Sequence, residues 1–203
     1  ETFVPGMEVA LEGLLQHGSL IPLAIFDKPD PLNGPFFEES LYITPSRLPK
    51  QTQDLIITTT AQALSALGLK DGPVHAELRI NSLGAYVIEV GARTIGGLCA
   101  RSLQFGTGMS LEEIVLRHTL GLELPSTQRE GHASGVMMIP IPEAGELKAV
   151  TGEKDALIVP GIEDVTISIS IGQRLIQLPE GNKYLGFIFA KAETPESVEA
   201  ALR

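Results

Sequence analysis

The stretch Gly72–Gly97, GPVHAELRINSLGAYVIEVGARTIGG, decides how this chain is read. Val74, Ala76, Leu78 and Ile80 alternate with His75, Glu77 and Arg79, so the first half is a strand with an apolar face and a charged face. In the second half Tyr86, Ile88 and Val90 share one face and Ala85, Val87 and Glu89 the other. Ser82-Leu83-Gly84 fits a three-residue hairpin loop with Gly84 in the left-handed position. That loop sets a register in which Asn81 faces Ala85, Arg79 faces Val87 and Glu77 faces Glu89. Leu78 and Ile80 then meet Ile88 and Tyr86 on the other face.

The register has an electrostatic consequence. Carboxylates directly opposite on one sheet face sit about 5 Å apart and repel. A divalent cation would neutralise them, and Mg²⁺ is commonly held by one or two carboxylates plus phosphate oxygens. Two plainer readings stay open: Arg79 on the same face pairs with both acids, or the face is solvated and the pair costs little. A glycosidase-like carboxylate pair is a third reading. It has little support, because the chain has no Trp and few aromatic residues. Beyond the strand, Arg93 lies four residues past Glu89, and Gly96-Gly97 opens an apparent helix. Paired glycines at such a turn let backbone N–H groups approach an anion. Carboxylates for a metal, an arginine for developing negative charge and an anion-binding turn form a phosphoryl-transfer constellation within the 21 residues Glu77–Gly97.

Working outward, 203 residues at roughly 150 per domain make one large domain or two small ones. Hydrophobic residues are 43%, enough for a real core. The single cysteine, Cys99, excludes an intramolecular disulfide and fits a reducing cytoplasm. A net charge of −10 argues against a nucleic-acid partner. The longest uncharged runs, Gly13 to Phe26 and Leu55 to Leu69, are shorter than the roughly 18 residues that span a bilayer, so no membrane partner is expected. The chain opens on Glu1 without an initiator methionine, as a piece of a longer protein would.

Val4 to Phe26 reads as strands around a turn at Gln16–Ser19, and Phe36 to Ile43 as another strand. Asp27 to Pro35, with three prolines and a glycine, reads as a loop. Its Lys28 could reach a nucleotide's phosphates or a second substrate, or simply be solvated. Glu38-Glu39 reads as surface. Gln51 to Leu67 is the clearest helix, with Gly68 as its stop. Gly96 to Gly106 and Ser110 to Leu120 read as helices, the second with Ser110 and Glu113 as a capping box. Gly121 to Arg129 reads as a boundary, dividing the chain into 1–121 and a β-rich 122–203. Strands are expected at Ser134 to Ile139, Glu146 to Val150, Val165 to Ile171 and Lys183 to Ala190. A last helix follows from Thr194, with Pro195 at its first position. His75 is the one histidine near the proposed site. Cys99 reads as a buried small residue rather than a nucleophile.

Acids twelve positions apart on a hairpin, followed by Arg93 and Gly96-Gly97, resemble the metal-binding end of the ATP-grasp carboxylate–amine ligases. The opening Glu1-Thr-Phe-Val-Pro-Gly-Met-Glu8 is similar to the segment linking that superfamily's two nucleotide-clasping lobes. Tyr184 to Ala190 is similar to the end of ligases that join amino acids, the L-amino-acid ligase and biotin-carboxylase-like branch. The resemblance implies an α+β fold: the C-terminal lobe of an ATP-grasp domain, an antiparallel sheet with packed helices, followed by a small β-rich subdomain. It implies a cytoplasmic enzyme that uses ATP and Mg²⁺ to phosphorylate a carboxylate, which an amine then attacks. Glu77 and Glu89 become Mg²⁺ ligands, and Arg93 holds the transferring phosphate or the oxyanion. Gly96 and Gly97 lie near the acyl substrate, while Glu1, Glu8 and Lys28 lie toward the nucleotide. The resemblance departs at Gly91, where many relatives carry a metal-assisting Asn. The expected partners are a small carboxylate, an amine and an N-terminal lobe bearing the phosphate-binding lysines. Oligomeric state, a homodimer included, is left open.

Overall fold

The computed structural model describes residues 2–34 and 37–203. Strands β1 (Met7–Gln16) and β2 (Ser19–Lys28) form the expected hairpin around His17-Gly18. After the Pro-rich loop come β3 (Leu41–Thr44), α1 (Lys50–Ala66), β4 (Gly72–Asn81) and β5 (Gly84–Gly91). A short pair, β6 (Gln104–Phe105) and β7 (Met109–Ser110), leads into α2 (Leu111–Thr119). The remainder holds β8 (Ala133–Ile139), β9 (Gly145–Glu146), α3 (Glu153–Leu157), β10 (Ile162–Ile167), β11 (Arg174–Leu175), β12 (Gly186–Ala192) and α4 (Pro195–Leu202).

Eight strands make one antiparallel sheet in the order β10-β12-β8-β3-β2-β1-β4-β5. The architecture is α+β, as the sequence implies. The strands beyond residue 121 continue this sheet, because β8 pairs with β3.

Alternation sorts the side chains to two faces. On one, Val9, Leu11, Leu15, Ile25, Val74, Ala76 and Leu78 pack against Ile56 and Leu64 of α1. Further along the sheet, Leu41, Ile43, Ala133 and Ala190 meet Val198 and Leu202 of α4. The opposite face buries Ala10, Leu14, Phe26, Tyr42, Val136 and Phe187 under the segment carrying Ile95, Cys99, Leu103, Phe105, Leu111 and Ile114. Caps end the helices as the sequence indicates: the Ser110 hydroxyl accepts the Glu113 N–H, and the Thr194 hydroxyl accepts the Ser197 N–H.

Several local expectations give way. The β4–β5 connection is a two-residue turn at Ser82-Leu83, so Asn81 pairs with Gly84, Ile80 with Ala85, Arg79 with Tyr86 and Leu78 with Val87. A bulge then inserts one extra residue in β5, and Glu77 does pair with Glu89. The bulge also resorts the faces. Ala85, Val87 and Val90 pack toward α1, while Ile88 stays exposed. In place of a helix over Gly96–Gly106 there is one 3₁₀ turn, Cys99–Ser102, because the adjoining residues turn back to form β6. The strand expected at Glu146 to Val150 is only the short β9, and β10 ends at Ile167. Phe36, the expected start of the third strand, lies outside the described residues.

At Gly135 α4 lies close against the sheet. A Cβ there would lie 2.7 Å from Val198 Cγ1 and 2.8 Å from the Tyr42 carbonyl oxygen. Gly135→Ala should therefore cost about 1–3 kcal/mol of stability through overpacking. Urea unfolding checks this, and an unchanged midpoint would contradict the packing described.

Candidate active site

The polar face of the sheet is assembled by cross-strand pairing. Glu8 of β1 lies opposite Lys28 of β2 on one side and Arg79 of β4 on the other, and Glu12 lies opposite His75. The row therefore alternates in charge, which favours each pair. One Glu8 oxygen accepts from Lys28 Nζ at 2.7 Å and the other from Arg79 Nε at 2.9 Å.

Lys28 is the last residue of β2 rather than part of the loop, and is 3% exposed. Its ammonium contacts three carboxylates: Glu8, Glu39, and Glu77 at 3.0 Å. Burial opposes its charge, but Glu39, Glu77 and Glu8 outweigh burial and hold its pKa above the usual lysine value. Glu39 is thus part of this cluster and not plain surface. The Tyr42 hydroxyl donates to Glu39 and lies 3.4 Å from Glu77. Burial, followed by those two charges, raises the phenol's pKa, so it remains a neutral donor.

His75 joins the cluster from β4. Its Nδ1 donates to Glu12 and its Nε2 to Glu77 at 3.2 Å. Burial disfavours the imidazolium, but the hydrogen bonds to Glu12 and Glu77 prevail and raise its pKa to about 9. Glu12 is also raised, by burial. The pair shares one proton, and we place it on the imidazole, which lies between two carboxylates. Burial pushes Glu77 up, yet the hydrogen bond from His75 and the charge of Lys28 take it down to about 2.

The sequence-derived residues fall as follows. Glu77 and Glu89 are direct cross-strand partners, but different cations engage them. Glu77 belongs to the Lys28–His75 cluster. Glu89 is 55% exposed and accepts from Arg93 Nη2 at 3.1 Å. Arg79 pairs with neither. Its guanidinium donates to Glu8 and to the carbonyls of Val4 and Leu32, and stacks 4.7 Å from the Phe3 ring centroid. The simple neutralisation of the acidic pair by Arg79 is therefore replaced by Lys28, His75 and Arg93. Glu1 lies outside the described residues.

Arg93, Gly96 and Gly97 line one cleft of about 160 Å³ with Glu39, His75 and Glu77. Tyr184, Phe187, Met138 and Cys99 give it an apolar wall. Gly97 has φ +61° and its Cβ position is 3.1 Å from the Phe187 ring, so a side chain there would be both strained and crowded. Burial lifts the Cys99 thiol to about 12, which suits a packing role and not a nucleophile. A separate open recess of about 830 Å³ is lined by Thr2, Phe3, Val4, Glu8, Arg79 and Tyr86 among others. Glu8 and Arg79 thus form a wall between the charged cluster and an apolar recess.

Sequence reasoning placed His75 nearby but missed Glu12, Glu39 and Tyr42. The alternation of Glu8 and Glu12 with Val9 and Leu11 was the available signal, since it marks two buried-strand acids on the face of Ala10.

The sequence profile of the ATP-grasp domain matches residues 1–102, and that of L-amino acid ligase C-terminal domain 2 matches residues 137–203. With just over half of its 203 residues in the first match, the chain belongs to the ATP-grasp domain family. The structure of an L-amino acid ligase from Bacillus licheniformis is similar, with a TM-score of 0.82 and 30% identity over 99% of this chain and 50% of that one. Among curated proteins, alanine–anticapsin ligase from Bacillus subtilis is 27% identical over 109 residues, 53% of this chain and 22% of that protein. An uncharacterized protein of Sinorhizobium fredii is 22% identical over 159 residues, 78% of this chain and 33% of that protein. The chain thus spans a third or less of these curated relatives and half of the solved ligase.

Two predictions follow from the charged face. Replacing Lys28 by Met leaves three clustered carboxylates without their cation and should cost about 3–5 kcal/mol near pH 7. Chemical unfolding checks this, and a neutral or stabilising effect would contradict the pairing. The second concerns pH. The folded protein holds the His75 proton more tightly than the unfolded chain, so that contribution is complete below pH 6.5 and is lost as pH rises through about 9. Glu77 acts in the other sense, complete above pH 4.5 and lost as pH falls toward about 2. The stability difference between wild type and His75→Gln should therefore shrink from pH 6.5 to 9. A difference that grows over that window would contradict the assigned proton.

Proposed function

We propose that the complete protein is an ATP-dependent carboxylate–amine ligase, joining an amino acid through its carboxylate to an amine and releasing ADP and phosphate. The reading is carried by one observation: Glu77, Arg93, Gly96 and Gly97 converge on a single cleft, with Glu89 paired across the strand from Glu77. The similarity to L-amino acid ligases supports the amino-acid substrate.

Phosphoryl transfer needs positioning and charge stabilisation more than covalent chemistry from the protein. The donor set fits a hard cation, since Glu77 and Glu89 offer carboxylate oxygens from adjacent strands. These two would hold Mg²⁺, which when bound offsets the charge of the transferring phosphate. Binding requires their present cationic partners, Lys28, His75 and Arg93, to yield oxygens to it.

Arg93 stands at the cleft with its guanidinium half exposed, able to turn from Glu89 toward an acyl phosphate or an oxyanion. Gly96 and Gly97 let the acyl group approach the backbone. Glu39 gives the cleft a negative wall suited to the ammonium of an amino-acid substrate. The recess along Thr2–Val4, with Arg79 and Tyr86, suits a flat base, with Glu8 toward its sugar; Lys28, buried behind Glu8, would act there through Glu8. Residues 1–121 would supply this half of the nucleotide site and 122–203 the apolar wall at Met138, Tyr184 and Phe187. The other half would come from a lobe outside this sequence, and the reaction would take place in the cytoplasm.

A second reading, a non-catalytic binding lobe, draws on the cluster being charge-compensated by Lys28 without any metal. Turnover separates the two. In the complete protein, amine- and carboxylate-dependent ADP release should fall by about 100-fold or more in Glu89→Gln, with unfolding and fold unchanged. Undiminished ADP release in that variant, or none in the wild type with any amino-acid pair, would overturn the ligase reading.

A further inference from the structure

We propose that Glu12 is a positioning residue, pinning the loop Ala92–Gly97, and with it Arg93 and the Gly96-Gly97 turn, to the sheet. Glu12 lies on β1 opposite a bulge in β2, where Glu12 pairs with Ala24 and Gly13 with Pro22, leaving Leu23 as the extra residue. Its side chain is 1% exposed. One oxygen accepts the backbone N–H of Ile95 at 3.0 Å, across 83 positions of sequence. The other accepts from His75 Nδ1. Both carboxylate oxygens are thus spent, one on the loop and one on the histidine that contacts Glu77.

The remaining polar contacts of Arg93 are short in range. It bonds Glu89 four residues back and the carbonyl of its neighbour Thr94. Neither ties the loop to the centre of the sheet. The Ile95 side chain is buried in the adjoining core, which holds the loop's depth but not its rotation. The Glu12 hydrogen bond supplies the directional restraint. A buried carboxylate is an expensive way to fill space that an apolar side chain would fill more cheaply. Here it accepts two hydrogen bonds that an apolar residue would leave unmade. By this geometry one side chain of β1 fixes both His75, beside Glu77, and the loop bearing Arg93, so the two walls of the cleft keep their spacing.

The catalytic part of this inference rests on the ligase reading, and the loop restraint does not. The test compares Glu12→Met, which fills the volume without an acceptor, with Glu12→Gln, whose amide can accept from Ile95 and donate to a neutral His75. Hydrogen exchange in the complete protein reads the loop directly. The Ile95 amide should exchange faster by about tenfold or more in Glu12→Met and near the wild-type rate in Glu12→Gln. In the ligase assay Glu12→Met should lower kcat by about 100-fold with KM for ATP unchanged, as a displaced reacting group does, and Glu12→Gln should restore it. Equal protection of Ile95 in all three proteins, or a Glu12→Met enzyme with wild-type kcat, would overturn the proposal. If Glu12→Met does not fold, the wild type decides: an Ile95 amide that exchanges at least about tenfold more slowly than the adjoining Thr94 amide supports the restraint, and one that exchanges as fast overturns it. A wild type without ADP release would sink the ligase reading, while exchange at Ile95 would still decide the restraint.

Discussion

The ammonium of Lys28 lies among three carboxylates, Glu8, Glu39 and Glu77, whose oxygens fall within 4.8 Å of one another. At an effective dielectric constant of about 20, two unit charges that far apart repel by about 3.5 kcal/mol, whereas opposite charges 3 Å apart attract by about 5.5 kcal/mol. A single central cation therefore outweighs each repulsion it stands between. Without it the polar face of β1, β2 and β4 would be unstable as a buried surface. With it, the chain can keep acids at a depth where they respond strongly to an incoming cation. The same face carries His75 and Glu12 outward to the Arg93 loop, so charge compensation and cleft geometry share one network.

The sheet divides the molecule's tasks. Its apolar side, closed by α1 and α4, supplies the stability that tolerates a charged face opposite. Its polar side carries the cleft lined by His75, Glu77 and Arg93 and, around Glu8 and Arg79, an open recess. The long antiparallel order, from β10 to β5, lets residues beyond 121 reach the cleft that β4 and β5 begin. The family relation is consistent with this layout: the ATP-grasp match covers the charged strands, and the L-amino acid ligase match covers the strands that close the apolar wall.

Much of this was legible in the sequence because it is local. The period-2 alternation of β4, the caps at Ser110 and Thr194 and the stop at Gly68 are short-range signals. The Glu77–Glu89 pairing was reached through a three-residue loop. The protein reaches it through a two-residue turn and a compensating bulge, which no turn signal encodes. Gly96–Gly106 has helical composition, yet its apolar residues are claimed by the sheet and only Cys99–Ser102 turns. Lys28 and Glu39 looked like loop and surface residues because their partners lie on three other strands. Long-range charge pairing leaves no periodicity to read. The division of roles between Glu77, held by Lys28 and His75, and Glu89, held by Arg93, is likewise a tertiary outcome.

We propose that β4 and β5 present Glu77 and Glu89 to one cation. The most direct measurement is a crystal structure of the complete protein with Mn²⁺ and a non-hydrolysable ATP analogue, using the anomalous signal of the metal. The expected result is a peak between oxygens of Glu77 and Glu89, at roughly 2.0–2.3 Å from each, with Arg93 turned from Glu89 toward the cleft. A nucleotide-bound structure with no anomalous peak there, and Glu77 still held by Lys28 and His75, would contradict it.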